Sequence, residues 1–428
     1  MEQCKQQIKI AFYMDNTNFS GRNLYNVEAG NPGIGGSHYM QLLTAQCLAE
    51  EFEDLEVIMY VTKEQCFPDK IKINIVKNFE DALKCMKHDK CRVFVLSNWD
   101  VGLENGIEIL KLVEKYKLRT IIWAHIFMSH EHYAFIAQCK YMRLVVCLGK
   151  QQLEMLRGAK LYKKATYINY VLPPVHTLRQ INDRKIVVYV GAIFPYKGFH
   201  ILAKYWKYIK KNVRDAELWV VGSAKLYEDN VSLGKYEIAE PKYERQFISY
   251  LLDSRGKIDS SVKFMGSLGG MEKEKVVSQA TVGVFNPAGT SETFGLSGVE
   301  FEAMGIPVVS IYRNSSPDII KDKVSGLLYK DESDFPQYII RLLRDSTYNR
   351  QLGEQARIFV NKEFAREKIL KEWHDVLVRI AQDEPLMLKH DKHIMIDNQI
   401  WIHHIENVLR DNAHIEKFIW ESKIVTGY

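Results

Sequence analysis

The sequence predicts an α/β protein built as two similar halves, and three observations predict it. Short β-rich runs alternate with helical patterns along most of the 428 residues, the pattern left by parallel strands covered by helices. The alternation breaks once, at Leu172-Pro173-Pro174 and the charged stretch Asn182 to Lys185, and then restarts. The chain is also long enough for two substantial cores. Each half therefore reads as Rossmann-like, the two facing each other across a cleft, with ligands expected at the carboxyl ends of the strands.

In order, Ile8 to Met14 reads as the first strand, followed by a long polar loop to Gly36 and a helix from Ser37 to Phe52. Glu56 to Val61, Arg92 to Ser97, Thr120 to Ala124 and Leu144 to Leu148 are the next strands. Beyond the break, strands are expected at Ile186 to Val190, Glu217 to Val221, Val262 to Met265, Val282 to Phe285 and Val308 to Ile311. An amphipathic helix from Phe364 to Ala381 closes the pattern. The expected division is an N-terminal domain at 1–178 and a C-terminal domain at 183–381, followed by an extension at 382–428 of mixed helical pattern.

Composition excludes several classes. With 46% hydrophobic and 26% charged residues the chain is an ordinary globular one, and a formal charge of +5 is too small to argue for nucleic acid. Met1 to Gln7 is polar and Ile8 to Tyr13 is too short for a signal-peptide core, and no run approaches the roughly 20 apolar residues of a spanning helix. The seven cysteines form no Cys-x-x-Cys pair and all lie in the N-terminal half of the chain, which fits reduced thiols and a cytoplasmic setting.

The most informative stretch is Val282 to Ser310, VGVFNPAGTSETFGLSGVEFEAMGIPVVS. A strand passes through a loop to Glu292 and Thr293. Phe294-Gly295-Leu296 then opens a helix carrying Glu300, and Gly305-Ile306-Pro307 ends it before the next strand. Helical rise sets Glu300 roughly 7 Å beyond Gly295. One ligand suits that spacing: its diphosphate rests on the N–H groups of Phe294, Gly295 and Leu296, and its ribose hydroxyls meet the Glu300 carboxylate. A nucleotide diphosphate sugar has that shape.

These residues resemble the signature of glycosyltransferase family 4, the retaining enzymes of GT-B fold that carry a glycosyltransferase group 1 domain. The resemblance covers residues 8–381 and is strongest from 186 to 312. It implies that Glu292 faces the donor sugar, that Glu300 holds the ribose, and that the N-terminal domain serves the acceptor and the C-terminal domain the donor. In VYVGAIFPYKGF, Gly191 ends a strand and Lys197-Gly198 matches the family's Lys-Gly, which neutralises the departing diphosphate. The family's usual Arg is replaced by Ala192, with Arg313 and Lys225 as alternative cations. Gly35-Gly36, in a glycine-rich loop before a helix, resembles the family's donor- or acceptor-facing loop. His125, at a strand's carboxyl end, matches a histidine close to the transferred sugar. By the same resemblance Ser223 lies near the ribose-phosphate and Leu268 frames the base.

No Asp-x-Asp occurs in the chain. A helix dipole and a lysine are therefore expected to neutralise the donor, with no metal and no cofactor. Although His125, His130 and His132 cluster in sequence, no carboxylate set completes a metal site. Basic residues Arg157, Lys160, Lys163 and Lys164 alternate with Leu153, Met155, Leu156 and Leu161, and Lys204, Lys207, Lys210 and Lys211 flank Tyr205, Trp206 and Tyr208. Either group could lie on anionic lipid as a peripheral contact at the inner face of the membrane, or be a solvated helix face.

The expected activity is transfer of a sugar to a saccharide or lipid-linked acceptor, in polysaccharide, lipopolysaccharide or glycolipid assembly. Ala192 motivates the alternative of a catalytically weak nucleotide-sugar-binding protein or partner subunit. A phosphorylase or epimerase of the same fold is the other alternative.

Overall fold

The computed structural model describes residues 7–101, 106–181, 183–224, 232–390 and 398–413. Its contacts divide the chain into two units. One comprises the chain up to Val27, Ser37–Val171 and everything described from Arg366 onward; the other comprises Glu28–Gly36 and Leu172–Ala365.

The first unit is built on a seven-stranded parallel sheet of β1 (Ile8–Met14), β2 (Leu55–Val61), β3 (Lys72–Ile75), β4 (Val93–Ser97), β5 (Thr120–Ala124), β6 (Met142–Cys147) and β7 (Ala165–Tyr167), in the order β3-β2-β1-β4-β5-β6-β7. Its central strands are apolar nearly throughout, IKIAFYM and VFVLS among them, because both faces of a parallel sheet are covered. Two strands of this sheet were not foreseen, nor was the last strand of the second sheet. β3 reads KINI with exposed ends, the mark of an edge strand, and β7 is three residues long.

The second unit repeats the plan. β8 (Lys185–Val190), β9 (Ala216–Val221), β10 (Val262–Gly266), β11 (Val282–Val284), β12 (Val308–Ile311) and β13 (Gly326–Tyr329) are parallel in the order β10-β9-β8-β11-β12-β13. The helix Phe199–Asn212 buries Leu202, Trp206 and Ile209 on one face at helical spacing, and the Trp206 indole N–H donates to Ser261 Oγ at 3.1 Å.

Two boundaries differ from the sequence expectation. The helix Arg366–Gln382 belongs with the first unit rather than closing a domain at 183–381. Its apolar face (Ile369, Leu370, Trp373, Leu377, Ile380) is complementary to the first core, where Trp373 meets Trp123 edge-to-face with ring centroids 4.7 Å apart. Conversely, the loop Glu28–Gly36 belongs with the second unit, where Asn31 O accepts from Gly270 N at 3.0 Å. In the extension, the helix Asn398–Ala413 docks on the first unit, Asn407 Nδ2 donating to the carbonyls of Met155 (2.9 Å) and Arg157 (3.0 Å).

In the two basic groups several of the apolar residues turn inward and some of the cations are paired. Leu153, Leu156, Leu161 and Trp206 are core residues. Arg157 is paired with Glu154, Lys164 donates to Cys139 O at 2.8 Å, and Lys204 meets Glu332 at 2.7 Å. No described helix is long and apolar enough to cross a membrane. The six described cysteines are free thiols, and Cys4 lies outside the described residues.

Candidate active site at the rim of the second sheet

Strand order fixes where a ligand can sit. In the second sheet, β8 and β11 are neighbours whose chain connections depart in opposite directions, and such a switch point opens a crevice beyond the strand ends. The loop after β8 carries Gly191 through Lys197, and the loop after β11 carries Asn286 through Gly295. The residues singled out from sequence thus flank this one point.

The β11 loop is held by its own polar groups. Asn286 adopts φ 33° and Ser291 φ 55°, left-handed conformations rare outside glycine and best tolerated by asparagine. Asn286 Oδ1 accepts from Gly289 N at 3.0 Å, while its Nδ2 donates to Thr290 O at 3.1 Å and to Glu292 Oε2 at 2.9 Å. Asn314 Nδ2 donates to Gly289 O at 2.6 Å, and the Tyr329 hydroxyl donates to Pro287 O. The loop is therefore preformed, with Glu292 at its end.

Lys197 Nζ donates to Glu292 Oε2 at 2.9 Å, and both side chains are mostly buried. Burial alone would push the Glu292 carboxyl up. The Lys197 ammonium, Asn286 and the Gly295 N–H together outweigh it and hold the carboxyl below the usual range, so Glu292 is ionised. The Lys197 turn is pinned in turn. Gly198 lies at φ 72°, where an added Cβ would sit 2.4 Å from Ala288 N, and the Tyr189 hydroxyl donates to Lys197 O at 3.2 Å.

Gly295 is the N-cap of the helix Leu296–Ala303 at φ 88°, and an added Cβ would sit 2.7 Å from both Phe285 and Ile319. Its N–H helps to hold the Glu292 carboxyl ionised. Phe294 turns its ring inward, edge-to-face with Phe364 at 5.5 Å, and Thr293 is buried. Glu300, one turn along, accepts from Lys273 Nζ at 2.6 Å and is 12% exposed, so it does not project into bulk water. Glu302 faces the opposite way. It is fully buried against Ser325 Oγ at 2.8 Å, and burial raises its carboxyl well above the usual range, which keeps it neutral.

The other expected residues gather on the same rim. Gly36 belongs to the second unit, where a Cβ on it would come 3.8 Å from Leu296 Cδ2; Gly35 precedes it in the loop. Gly191 donates its N–H to Val221 O at 3.1 Å and passes so close to Gly222 that a Cβ there would lie 1.9 Å from Gly191 O. Ser223 O accepts from Ile193 N at 3.4 Å, and Leu268 follows β10, half-buried. Ala192 is buried. Of the two alternative cations, Arg313 lays its stem over Gly289 of the Glu292 loop, whose Cβ would sit 3.0 Å from Arg313 Cβ; Lys225 lies outside the described residues.

In the first unit, His125 follows β5 and is 3% exposed. Its ring packs on Trp123 at 4.5 Å, and Nδ1 is hydrogen-bonded to the Tyr170 hydroxyl. Burial, with a smaller contribution from His38, lowers its pKa to about 3, so the imidazole is neutral. Asn98 fixes the neighbouring loop, accepting from Ile126 N at 3.1 Å and donating to Ile126 O at 2.6 Å. Among the described residues no group of three or more His, Cys, Asp or Glu is placed to hold a metal ion, the His125, His130 and His132 set included.

Comparison with known proteins decides the family of the second unit. Residues 177–359 match the profile of glycosyl transferases group 1. The chain carries a group 1 glycosyltransferase domain. An uncharacterized glycosyltransferase of Haemophilus influenzae is 22% identical over 375 residues, spanning 80% of this chain and 96% of that protein. Among solved structures, Anabaena HepE in complex with UDP and glucose aligns with a TM-score of 0.60 at 13% identity, covering 87% of this chain and 100% of that one. Sucrose-phosphate synthase of Thermosynechococcus elongatus aligns at 0.64 and 16%, covering 88% and 100%. The fold of this glycosyltransferase is GT-B.

Several of its positioning residues escaped sequence reading. Lys273, which holds Glu300, is one of many lysines, and only its place in the helix after β10 brings it to the rim. Asn286 carried a readable signal, because Asn-Pro directly after a strand marks a turn.

Proposed function

We propose that this glycosyltransferase moves a sugar from a nucleotide diphosphate sugar to an acceptor hydroxyl with retention and without a divalent metal. The observation that carries the reading is the pairing of Lys197 with an ionised Glu292 at the strand-order switch, with Glu300 held one turn along the following helix. UDP and glucose are what HepE binds in its crystal, and the same class of donor suits these groups. Lys197 is a mobile cation for the diphosphate, Glu292 an acceptor for the donor sugar's hydroxyls, and Glu300 an acceptor for the ribose hydroxyls.

As the donor binds, the Lys197 ammonium turns toward the phosphate oxygens, and the Glu292 carboxylate exchanges that partner for sugar hydroxyls. The anomeric C–O bond to phosphate lengthens and breaks. The acceptor oxygen bonds to the same face of the sugar, and its proton passes to the departing phosphate oxygen. Preorganised charge at the leaving group supplies the largest rate term. Saccharide or lipid-linked acceptors of cell-surface polysaccharide or glycolipid fit this chemistry.

The test is release of nucleoside diphosphate from UDP-, GDP- and ADP-sugars, with proton NMR of the product's anomeric centre. Release abolished by Glu292→Ala but not by the exposed control Glu354→Ala, with retained configuration, supports the reading. Inverted product contradicts it. The buried Ala192, standing where a second cation is usual, favours one other reading, a sugar-nucleotide-binding subunit. Tight nucleotide binding with no release from any donor would select that.

A further inference from the structure

Next to Lys197, the loop after β8 presents two aromatic rings that the reading above does not use. Phe194 and Tyr196 stack with centroids 5.5 Å apart and planes 11° from parallel. Phe194 is half-buried, while Tyr196 is 37% exposed, an unusual amount for an aromatic ring beside a buried ion pair.

The turn that carries them is rigid. Pro195 opens a single 3₁₀ turn, Lys197 N donates to Phe194 O at 3.0 Å and Gly198 N to Pro195 O at 3.1 Å. Thr290 Oγ1 donates to Tyr196 O at 2.7 Å, which ties the turn to the loop bearing Glu292. A ring so fixed loses little conformational freedom on receiving a ligand, and a flat tyrosine suits the C–H face of a sugar ring.

We infer that Tyr196, backed by Phe194, is a stacking platform for the pyranose ring of the acceptor. This rests on the sugar-transfer reading and adds the acceptor's place to it. Two observations select that occupant. The ribose carboxylate Glu300 is joined to Lys273 on the β10 side of the sheet, whereas Tyr196 is joined to the Glu292 loop at the β8–β11 switch. The platform therefore lies at the sugar end of the donor, away from the nucleoside. The transferred sugar is held by Glu292, whose side chain is 14% exposed, and the more exposed Tyr196 meets what arrives from solvent.

The experiment uses the full chain with UDP, GDP or ADP present. Saturation-transfer NMR measures binding of the methyl glycosides of glucose, galactose, mannose and N-acetylglucosamine. Wild type and Tyr196→Phe are expected to saturate the ring protons of at least one glycoside with similar affinity. Tyr196→Ala and Tyr196→Leu are expected to bind it on the order of tenfold more weakly. The melting-temperature rise given by the nucleotide stays the same in all four proteins, which also reports their folding. The inference is overturned if wild type binds none of the glycosides, if the Ala and Leu variants bind them equally well, or if those variants lose the nucleotide shift instead, since the ring would then stack on the base. A wild type whose melting temperature no nucleotide raises counts against the donor reading, and the glycoside signal is read independently of it.

Discussion

The two sheets share one plan and use it differently. Each is parallel, with a switch point between its first strand and the strand that reverses the order: β1 and β4 in the first unit, β8 and β11 in the second. At the second switch stand two ion pairs, Lys197 with Glu292 and Lys273 with Glu300, each half of which could exchange its partner for a ligand. At the first, polar groups are spent on the fold. Asn16 is buried, accepting from Thr62 N at 3.0 Å and Lys63 N at 2.8 Å, and Asn98 fastens the loop of a neutral His125. Topology thus provides a crevice in both units. What loads it with chemistry is charge kept ionised while mostly buried, and among the described residues only the second unit does that with residues from both flanking loops.

The sharpest way to break this contrast is Lys197→Ala. Without that ammonium, donor turnover is expected to fall on the order of 10²–10³-fold, measured as nucleoside diphosphate release. Glu292 then loses the charge that holds its carboxyl down, so the variant's melting temperature should also drop, most of all near neutral pH. Next in size is Gly295→Ala. A left-handed φ and contacts of 2.7 Å to Phe285 and Ile319 predict a loss of about 2–4 kcal/mol in urea unfolding. A loss under about 0.5 kcal/mol would mean that the helix start adapts.

His125 tests the first unit. Its folded pKa of about 3 lies below its ordinary 6.5, so the unfolded chain takes up a proton that the folded one refuses. The stability tied to its neutral form is present above pH 6.5 and is lost as pH falls from there towards 3, on the order of a few kcal/mol. His125→Gln should flatten that part of the stability profile. A profile equally steep in the variant would put the titration elsewhere. The smallest effect expected is Glu300→Gln, which keeps the shape but removes the charge; nucleotide affinity should fall about tenfold by titration calorimetry, with kcat changed less than twofold.

Much of this was legible in the residues. The apolar runs of β1, β4, β5, β8 and β9 announce buried parallel strands, and Glu292, Gly295 and Glu300 announce a strand, a turn and a helix start in one passage. Short edge strands were not legible, because KINI carries too little apolar periodicity to stand out. Nor was the return of Arg366–Gln382 to the first unit, since an amphipathic helix states that it has a partner face but not which core supplies it. At the site, Lys197 was legible through Lys-Gly. That it bonds Glu292 depends on loop conformations set by Asn286 and Ser291 at positive φ; Asn-Pro announces a turn there but not which side chains it brings together.

The central claim is that the rim between β8 and β11 receives a nucleoside diphosphate through Lys197 and Glu300. Titrating UDP, GDP and ADP into wild type and the Lys197→Ala and Glu300→Ala variants, with melting temperature as the readout, tests it most directly. At 100 times its dissociation constant, the favoured nucleotide should stabilise wild type by about 2.7 kcal/mol, and both variants should need at least about tenfold more ligand for the same rise. No rise with any of the three, or an equal rise in the variants, would contradict the account.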